Sequence, residues 1–150
     1  MMKLSLTGFV VSAVLLVGGG ADEAALKKDK ALFKGTWKIT KFETSKGEEK
    51  KDDVTITVKF AEDGGVEFMM SKGTDTKSKK GTYKLNPTAK PKELDLIPEE
   101  KNDDVGKAIY QFDKDKLKLC LTEGKGSSRP TDFNIKEGSR TIIVTLERVK

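Results

Sequence analysis

The stretch Gly35-Thr36-Trp37-Lys38-Ile39 opens a series of short segments in which apolar and polar residues alternate. The alternation is most regular in Val54–Phe60, where every second residue is Val, Ile or Phe and the others are Thr or Lys. A period of two is typical of a β-strand with one buried face. Apolar and charged residues each make up 35% of the chain, so the apolar residues must share one face of each strand to form a core.

Turn-forming residues separate these segments, as at Asp63-Gly64-Gly65 and Asp113-Lys114-Asp115. The pattern contains eight or nine strands and no second helix, which favours an antiparallel sandwich or barrel. Ser71–Lys80 contains no apolar residue and is predicted to be an exposed, mobile loop, and Glu123–Ser128 is predicted to be a second loop. The residues predicted to face inward are Trp37, Ile39, Val54, Ile56, Val58, Phe60, Val66, Phe68, Tyr83, Leu85, Leu94, Leu96, Tyr110, Phe112, Leu117, Leu119, Val144 and Leu146.

Residues 1–21 have the composition of a signal peptide. Lys3 gives a positively charged start, Leu4–Val17 is apolar, and Gly18–Ala21 is a small-residue cleavage zone. The apolar part is too short to span a bilayer, so we expect no stable membrane anchor after cleavage. The sequence therefore predicts a secreted or periplasmic protein. Residues 22–34, with Ala and Leu among lysines, are predicted to form a short amphipathic helix that covers one end of the sheet.

Composition excludes several functional classes. The chain contains no histidine, which removes Ser-His and Cys-His nucleophile activation and histidine metal ligation. The net charge of +5 is small, and the acidic residues are interspersed among the lysines, so the sequence predicts no groove that binds nucleic acid. Asn102-Asp103-Asp104 lacks the spacing of a calcium loop and is interpreted as a turn. We therefore expect no enzyme activity, no cofactor and no metal site.

Cys120 is the only cysteine and cannot form a disulfide within the chain. It falls on the face opposite Leu117, Leu119 and Leu121, beside lysines that could lower the pKa of its thiol. The favoured interpretation is an inert thiol covered by a loop, because nucleophilic catalysis would also need a base.

Closure of a barrel would pair the first strand with the last, antiparallel, and would bring Arg148 over Trp37. A guanidinium stacked on an indole would contribute about 1 kcal/mol and seal that end. The Gly35-x-Trp37 start combined with a late arginine resembles the signature of lipocalins and their fatty-acid-binding relatives.

A second resemblance covers nearly all of residues 35–150. These residues resemble the planctomycete-type exported lipocalin-like domain of unknown function, a single all-β, calycin-type barrel. The resemblance implies no catalytic residues. It is carried by Gly35-Thr36-Trp37, Gly81–Pro87, Pro91–Leu96, Ile109-Tyr110, Leu117–Cys120 and Arg129–Phe133.

The candidate ligand-binding residues are mostly aromatic, because aromatic side chains commonly line apolar pockets. The set is Trp37, Phe68, Tyr83, Tyr110, Phe112 and Arg129. Each has a structural alternative. Trp37 is favoured as a core residue that also closes the barrel with Arg148, and the Arg129 guanidinium is favoured as a brace for the preceding loop, with anion binding as the other possibility.

Two functions remain open at this point. The first is a monomeric, non-enzymatic exported protein that holds a small hydrophobic ligand inside an eight-stranded barrel. The second is a filled barrel whose open-end loops, chiefly Ser71–Lys80 and Glu123–Ser128, contact another exported protein or a cell-surface polymer. A cavity of some hundreds of Å³ favours the first function, and a filled interior with an exposed apolar patch favours the second.

Overall fold

The computed structural model describes residues 22–49, 53–124 and 126–150, so the predicted signal peptide over 1–21 lies outside the described residues. Within the described ranges, residues 22–33 are helical (α1), and no helix is long and apolar enough to cross a bilayer. The strands are β1 Gly35–Thr44, β2 Gly47–Glu49, β3 Val54–Phe60, β4 Gly65–Lys72, β5 Asp75–Asn86, β6 Lys92–Pro98, β7 Gly106–Asp113, β8 Lys116–Thr122 and β9 Thr141–Arg148.

Every strand is antiparallel to its neighbours, and β1 pairs with both β3 and β9. The β1–β9 pairing closes β1 and β3 to β9 into an eight-stranded barrel. The additional strand, β2, pairs with Phe42–Thr44 of β1. In this part of β1 one edge is paired with β9, so β2 pairs with the other edge, the one that pairs with β3 nearer the start of β1. The predicted eight- to nine-stranded antiparallel barrel with a short N-terminal helix is confirmed, and the sandwich alternative is wrong because the first and last strands pair.

The predicted closure contact is also confirmed. Trp37 is directly opposite Arg148 in the β1–β9 register, and the Arg148 guanidinium carbon lies 4.3 Å from the centre of the indole ring. The same guanidinium donates hydrogen bonds to the carbonyl oxygens of Leu32 and Lys34, at 2.5 and 2.6 Å. A Cβ at Gly35, where φ is +125°, would lie 2.7 Å from this group, so position 35 favours glycine on both steric and backbone grounds.

Helix α1 fills the end of the barrel where β1 begins. Its last helical residue, Phe33, is fully buried and packs edge-on against Phe60, Tyr110 and Phe112, with ring centres 4.9 to 5.2 Å apart. The Phe33 carbonyl accepts a 2.8 Å hydrogen bond from the indole N–H of Trp37. Edge-to-face aromatic pairs at these distances add to area burial, so this end of the barrel, the closed end, is solid.

The inward faces follow the predicted alternation. The buried core and the residues packed against it include sixteen of the eighteen residues predicted to face inward. The exceptions, Val54 and Ile56, are half-buried near the other end of the barrel and do not belong to this core. The core also contains Phe33, Phe42, Ala108, Leu121 and Ile142.

The prediction of a loop over Ser71–Lys80 is wrong. Its first two residues end β4, and Asp75 begins the long strand β5, so the segment forms a hairpin around Gly73-Thr74. Eight residue pairs join the two strands, from Gly65–Thr82 to Lys72–Asp75. Residues 72–80 are all exposed, so neither face needs apolar side chains, and the alternation that marks a half-buried strand is missing here.

Cys120 lies in a second apolar cluster on the outer surface of the barrel. Ile109, Cys120 and Ile143 are neighbours across β7, β8 and β9, and Phe133 and Ile135 of the 123–140 segment cover them. The Sγ of Cys120 is 3.6 Å from the carbonyl oxygen of Asp132. Burial first, and the Asp132 carboxylate second, raise the pKa of this thiol to about 11. The covered position of the thiol is thus confirmed, the neighbouring lysines do not lower its pKa, and its lack of reactivity stays a prediction.

Replacing Trp37 by Ala should lower the free energy of unfolding by about 3 to 5 kcal/mol, because it removes a fully buried aromatic side chain and leaves a cavity. Urea unfolding followed by circular dichroism measures this. The control is Val149→Ala, an exposed position directly after Arg148. For this variant a change in the free energy of unfolding within about 0.5 kcal/mol is expected. A loss below about 1 kcal/mol for Trp37→Ala would show that the indole is not a closure residue.

At pH 8 the thiol of folded Cys120 should react with a disulfide reagent only slowly, and unfolding should make the reaction fast, since the reactive thiolate is scarce in the native state. The folded pKa of about 11 lies above the ordinary value of 9.0. The unfolded thiol therefore loses its proton first, and the thiol's contribution to stability should decline as pH rises from about 9 to 11. The free energy of unfolding of Cys120→Ala, measured over the same pH range, should decline less than that of the wild-type protein, because the variant has no thiol to titrate. Immediate stoichiometric labelling of the native protein would contradict the assignment.

Candidate functional site

A cavity of about 700 Å³ lies at the end of the barrel opposite α1, which we call the open end. Strands β4 to β8 supply its walls, and the segments after β6 and β8 supply its rim. Its apolar lining includes Val66, Phe68, Leu96 and Leu121, which belong to the inward-facing rows. All of these except Val66 are only half-buried, so the cavity presents apolar surface that the chain itself does not cover.

Two glycines of the inward rows, Gly81 and Gly106, line this cavity. Gly81 pairs with Pro98, and a Cβ there would lie 2.2 Å from the Ile97 carbonyl oxygen, so only glycine fits. Gly106 pairs with Leu96, and a Cβ there would make an ordinary 3.5 Å contact with the Leu96 side chain. Because Gly106 also has no positive φ, a larger side chain at this position would extend into the cavity without backbone strain.

The segment between β6 and β7 crosses the rim and is held on both sides. On one side Asp103 accepts a hydrogen bond from the ammonium of Lys79 at 3.3 Å. On the other side Asp104 accepts a 3.0 Å hydrogen bond from the backbone N–H of Gly126. The rim is therefore polar and charged, while the walls below it are apolar, an arrangement that suits a ligand with an apolar body.

The predicted aromatic ligand-binding residues divide between the two ends of the barrel. Phe68 lines the cavity. Trp37, Tyr83 and Tyr110 are at most 3% exposed and pack with Phe112 around Phe33 at the closed end. None of these four side chains lines the cavity, and their ligand-binding role stays a prediction.

Tyr110 and Phe112 also line a second cavity, of about 600 Å³, between α1 and the 131–133 segment. Here Asp29, which is 2% exposed, accepts a 2.6 Å hydrogen bond from the Tyr110 hydroxyl and pairs with Lys92 at 3.0 Å. Burial first, and the Asp29 hydrogen bond and charge second, raise the pKa of Tyr110 above its ordinary value. These contacts fix α1 in the barrel end.

Sequence reasoning missed Asp29, although a signal was present. Asp29 lies four residues after Ala25 and four before Phe33, so a carboxylate occupies the buried stripe of an amphipathic helix. A charged residue in such a stripe is buried only when it has partners. A basic and a hydroxyl-bearing partner on the barrel were therefore to be expected.

Arg129 lies outside the main cavity. Its guanidinium donates to the carbonyl oxygens of Leu94 and Ala108, at 3.2 and 2.8 Å, and pairs with Asp95 at 2.5 Å. These contacts attach the 123–140 segment to β6 and β7, as the bracing interpretation predicts. Within the described ranges no group of His, Cys, Asp or Glu side chains is arranged to hold a metal ion.

Residues 33–119 match the model of the lipocalin-like domain family. Among solved structures, a lipocalin-like protein from Bacteroides uniformis is similar over 79% of this chain and 99% of its own, with 15% identity and a TM-score of 0.52. A fatty acid binding protein of Schistosoma mansoni, solved in complex with arachidonic acid, aligns over 81% of this chain and 98% of its own, with 14% identity and a TM-score of 0.43. No curated protein matches the chain. The family match spans more than half of the chain and agrees with the closed barrel, so this protein belongs to the lipocalin-like domain family.

Proposed function

We propose that this protein is a non-enzymatic binding protein that holds a small hydrophobic molecule in the open half of its barrel. The observation that carries the proposal is the cavity of about 700 Å³ with half-buried apolar walls. Pockets for small molecules commonly have volumes of roughly 300 to 1,000 Å³ and mostly apolar linings. Proteins with a lipocalin-like fold are typically binding proteins without catalytic activity, in keeping with this assignment.

The interaction-module alternative requires a filled barrel, and only the closed half is filled. It also relied on a flexible contact loop over Ser71–Lys80, whereas most of that segment is paired strand. Binding of a small molecule in the cavity therefore accounts for more of the structure than contact through the open-end loops does.

Export remains part of the proposal and rests on the sequence of residues 1–21. A charged start, an apolar stretch and a small-residue zone are the features that support it. The motifs at Gly81–Pro87 and Arg129–Phe133 support the further proposal that the chain belongs to the planctomycete-type exported branch of the family. We propose that the mature protein acts as a monomer outside the cytoplasm.

Filling the cavity from position 106 should abolish binding without unfolding the barrel. Titration with the neutral dye Nile red, followed by fluorescence, should give at least about tenfold weaker binding for Gly106→Phe, equivalent to about 1.4 kcal/mol of lost interaction. Gly106→Ala is the matched control and should stay within about twofold, because its Cβ makes only an ordinary contact. Equal dye binding by folded Gly106→Phe and wild-type protein would place the ligand elsewhere and contradict the proposal.

Native mass spectrometry of protein purified from its own host tests the proposed function without a chosen ligand. A monomer that has lost residues 1–21 and carries a co-purifying small molecule is the expected result. A stoichiometric protein partner without a small molecule would support the interaction-module alternative, and retention of residues 1–21 would contradict export.

A further inference from the structure

At the open end the β4–β5 hairpin extends beyond β6, while β3 pairs with β4 as far as its last residue, Lys72. The last pair of the β5–β6 register is Gly81 with Pro98, whereas β5 continues to pair with β4 as far as Asp75. One face of this hairpin continues the inward-facing rows of β4 and β5, because the side-chain alternation of a strand does not change along its length. We call this face the hairpin's inner face, and it overhangs the cavity.

The inner face combines exposed apolar and basic side chains. Phe68 is opposite Lys79 and Met70 is opposite Lys77 in the register. Met70 is 44% exposed, one of the most exposed large hydrophobic side chains among the described residues. An inward-row methionine left in solvent beside a cavity is a surface that a bound apolar chain would cover.

Lys79 is the one charged residue among the inward-row residues that line the cavity in the described ranges. Lys80 and Lys107 also lie at the lining, but both belong to the outward rows of their strands. Lys77 lies two residues from Lys79 on the same face, and no ion pair of Lys77 occurs among the described residues. The inner face of the hairpin therefore carries Lys77 and Lys79 above an apolar cavity, followed at the tip by Lys72 and Asp75, whose opposite charges face each other in the register.

The chain already places two acidic groups at this face, Asp75 at the tip of the hairpin and Asp103 at the rim of the cavity. The Asp103 carboxylate is 3.3 Å from the Lys79 ammonium, and the Lys79 side chain is 69% exposed. Ion pairs this exposed contribute little to stability because water screens them, so the Asp103 carboxylate can be exchanged for an acidic group of a ligand. The other rim carboxylates are placed differently, since Asp104 binds the Gly126 N–H and Glu123 follows β8, three strands away from β5.

We propose that Lys77 and Lys79 make the site selective for anionic amphiphiles, with the apolar chain in the cavity against Phe68, passing over Met70 beside it, and the acidic group on the two ammonium groups. The inference rests on the proposed function, since it names the class of ligand for the same cavity. Lys79 exchanges Asp103 for the ligand when the cavity is filled.

The test compares three ligands with the same ten-carbon chain: decanoate, decanol and decyltrimethylammonium. Each displaces Nile red from the protein at low ionic strength and below its aggregation concentration. Wild-type protein should bind decanoate about tenfold more tightly than decanol, as two exposed charge contacts allow, and should bind the cationic ligand most weakly. At 1 M salt the preference should fall to about twofold, because charges are then screened within about 3 Å.

Two double variants test whether the preference for decanoate comes from the two lysines on the inner face of the hairpin. Lys77→Gln/Lys79→Gln should bind decanoate and decanol within about twofold of each other, while decanol binding stays at the wild-type level. Lys59→Gln/Lys84→Gln removes the same charge from exposed positions in the outward rows of β3 and β5, away from the cavity lining, and should keep the tenfold preference. An equal loss in both double variants would show a general charge effect and overturn the inference.

The outcomes also separate this inference from the proposed function. Equal binding of all three ligands by the wild-type protein would overturn the selectivity and leave hydrophobic binding in place. Failure of wild-type protein to bind Nile red, decanol and decanoate would overturn both.

Discussion

The guanidinium of Arg148 joins three parts of the chain that are distant in sequence. It stacks on Trp37 of the first strand, it belongs to the last strand, and it donates hydrogen bonds to the carbonyl oxygens of Leu32 and Lys34 at the end of α1. Carbonyl groups at the end of a helix have no partner within the helix, so a single side chain both caps α1 and closes the barrel. This contact also fixes the position of Phe33, because that residue lies between the two bonded carbonyls. The solid closed end depends on this junction.

The barrel divides into a filled half and an open half because of the side-chain sizes along its inward rows. Near α1 the rows contain Trp37, Phe60, Tyr83 and Tyr110, and Phe33 occupies the remaining space between them. Towards the open end the rows of β5 and β7 reach Gly81 and Gly106, where no side chain enters the interior. An eight-stranded barrel has an interior just wide enough to be filled by side chains or to hold one small ligand. In this chain one end of the barrel is filled by side chains and the opposite end contains a cavity.

Much of the fold could be predicted from the sequence because its determinants are local. Alternation identifies the inward rows, and antiparallel closure places Arg148 over Trp37 from the sequence alone. Ser71–Lys80 could not be recognised as strand, because its stability comes from backbone pairing with β4 and its side chains are exposed on both faces. The cavity could not be located either, since it depends on Gly106 facing Leu96 and on the path of the segment that contains Asp103 and Asp104, which are set by contacts between separate strands. Asp29 was overlooked because its partners, Tyr110 and Lys92, lie far away in sequence.

The separation of the two halves has a consequence for ligand selection. Stability is concentrated in the aromatic cluster around Phe33 and in the Arg148 junction, both at the closed end. Residues at the open end, such as Phe68, Lys79 and Asp103, are half-buried or exposed, and substitutions at such positions usually cost little stability. Under the proposed function, substitutions in the hairpin and the rim can therefore change the preferred ligand while the closed end stays as it is. A lipocalin-like fold by itself does not specify a ligand, and the division of this barrel gives a physical reason, because the closed end can carry the stability while the side chains of the open end vary.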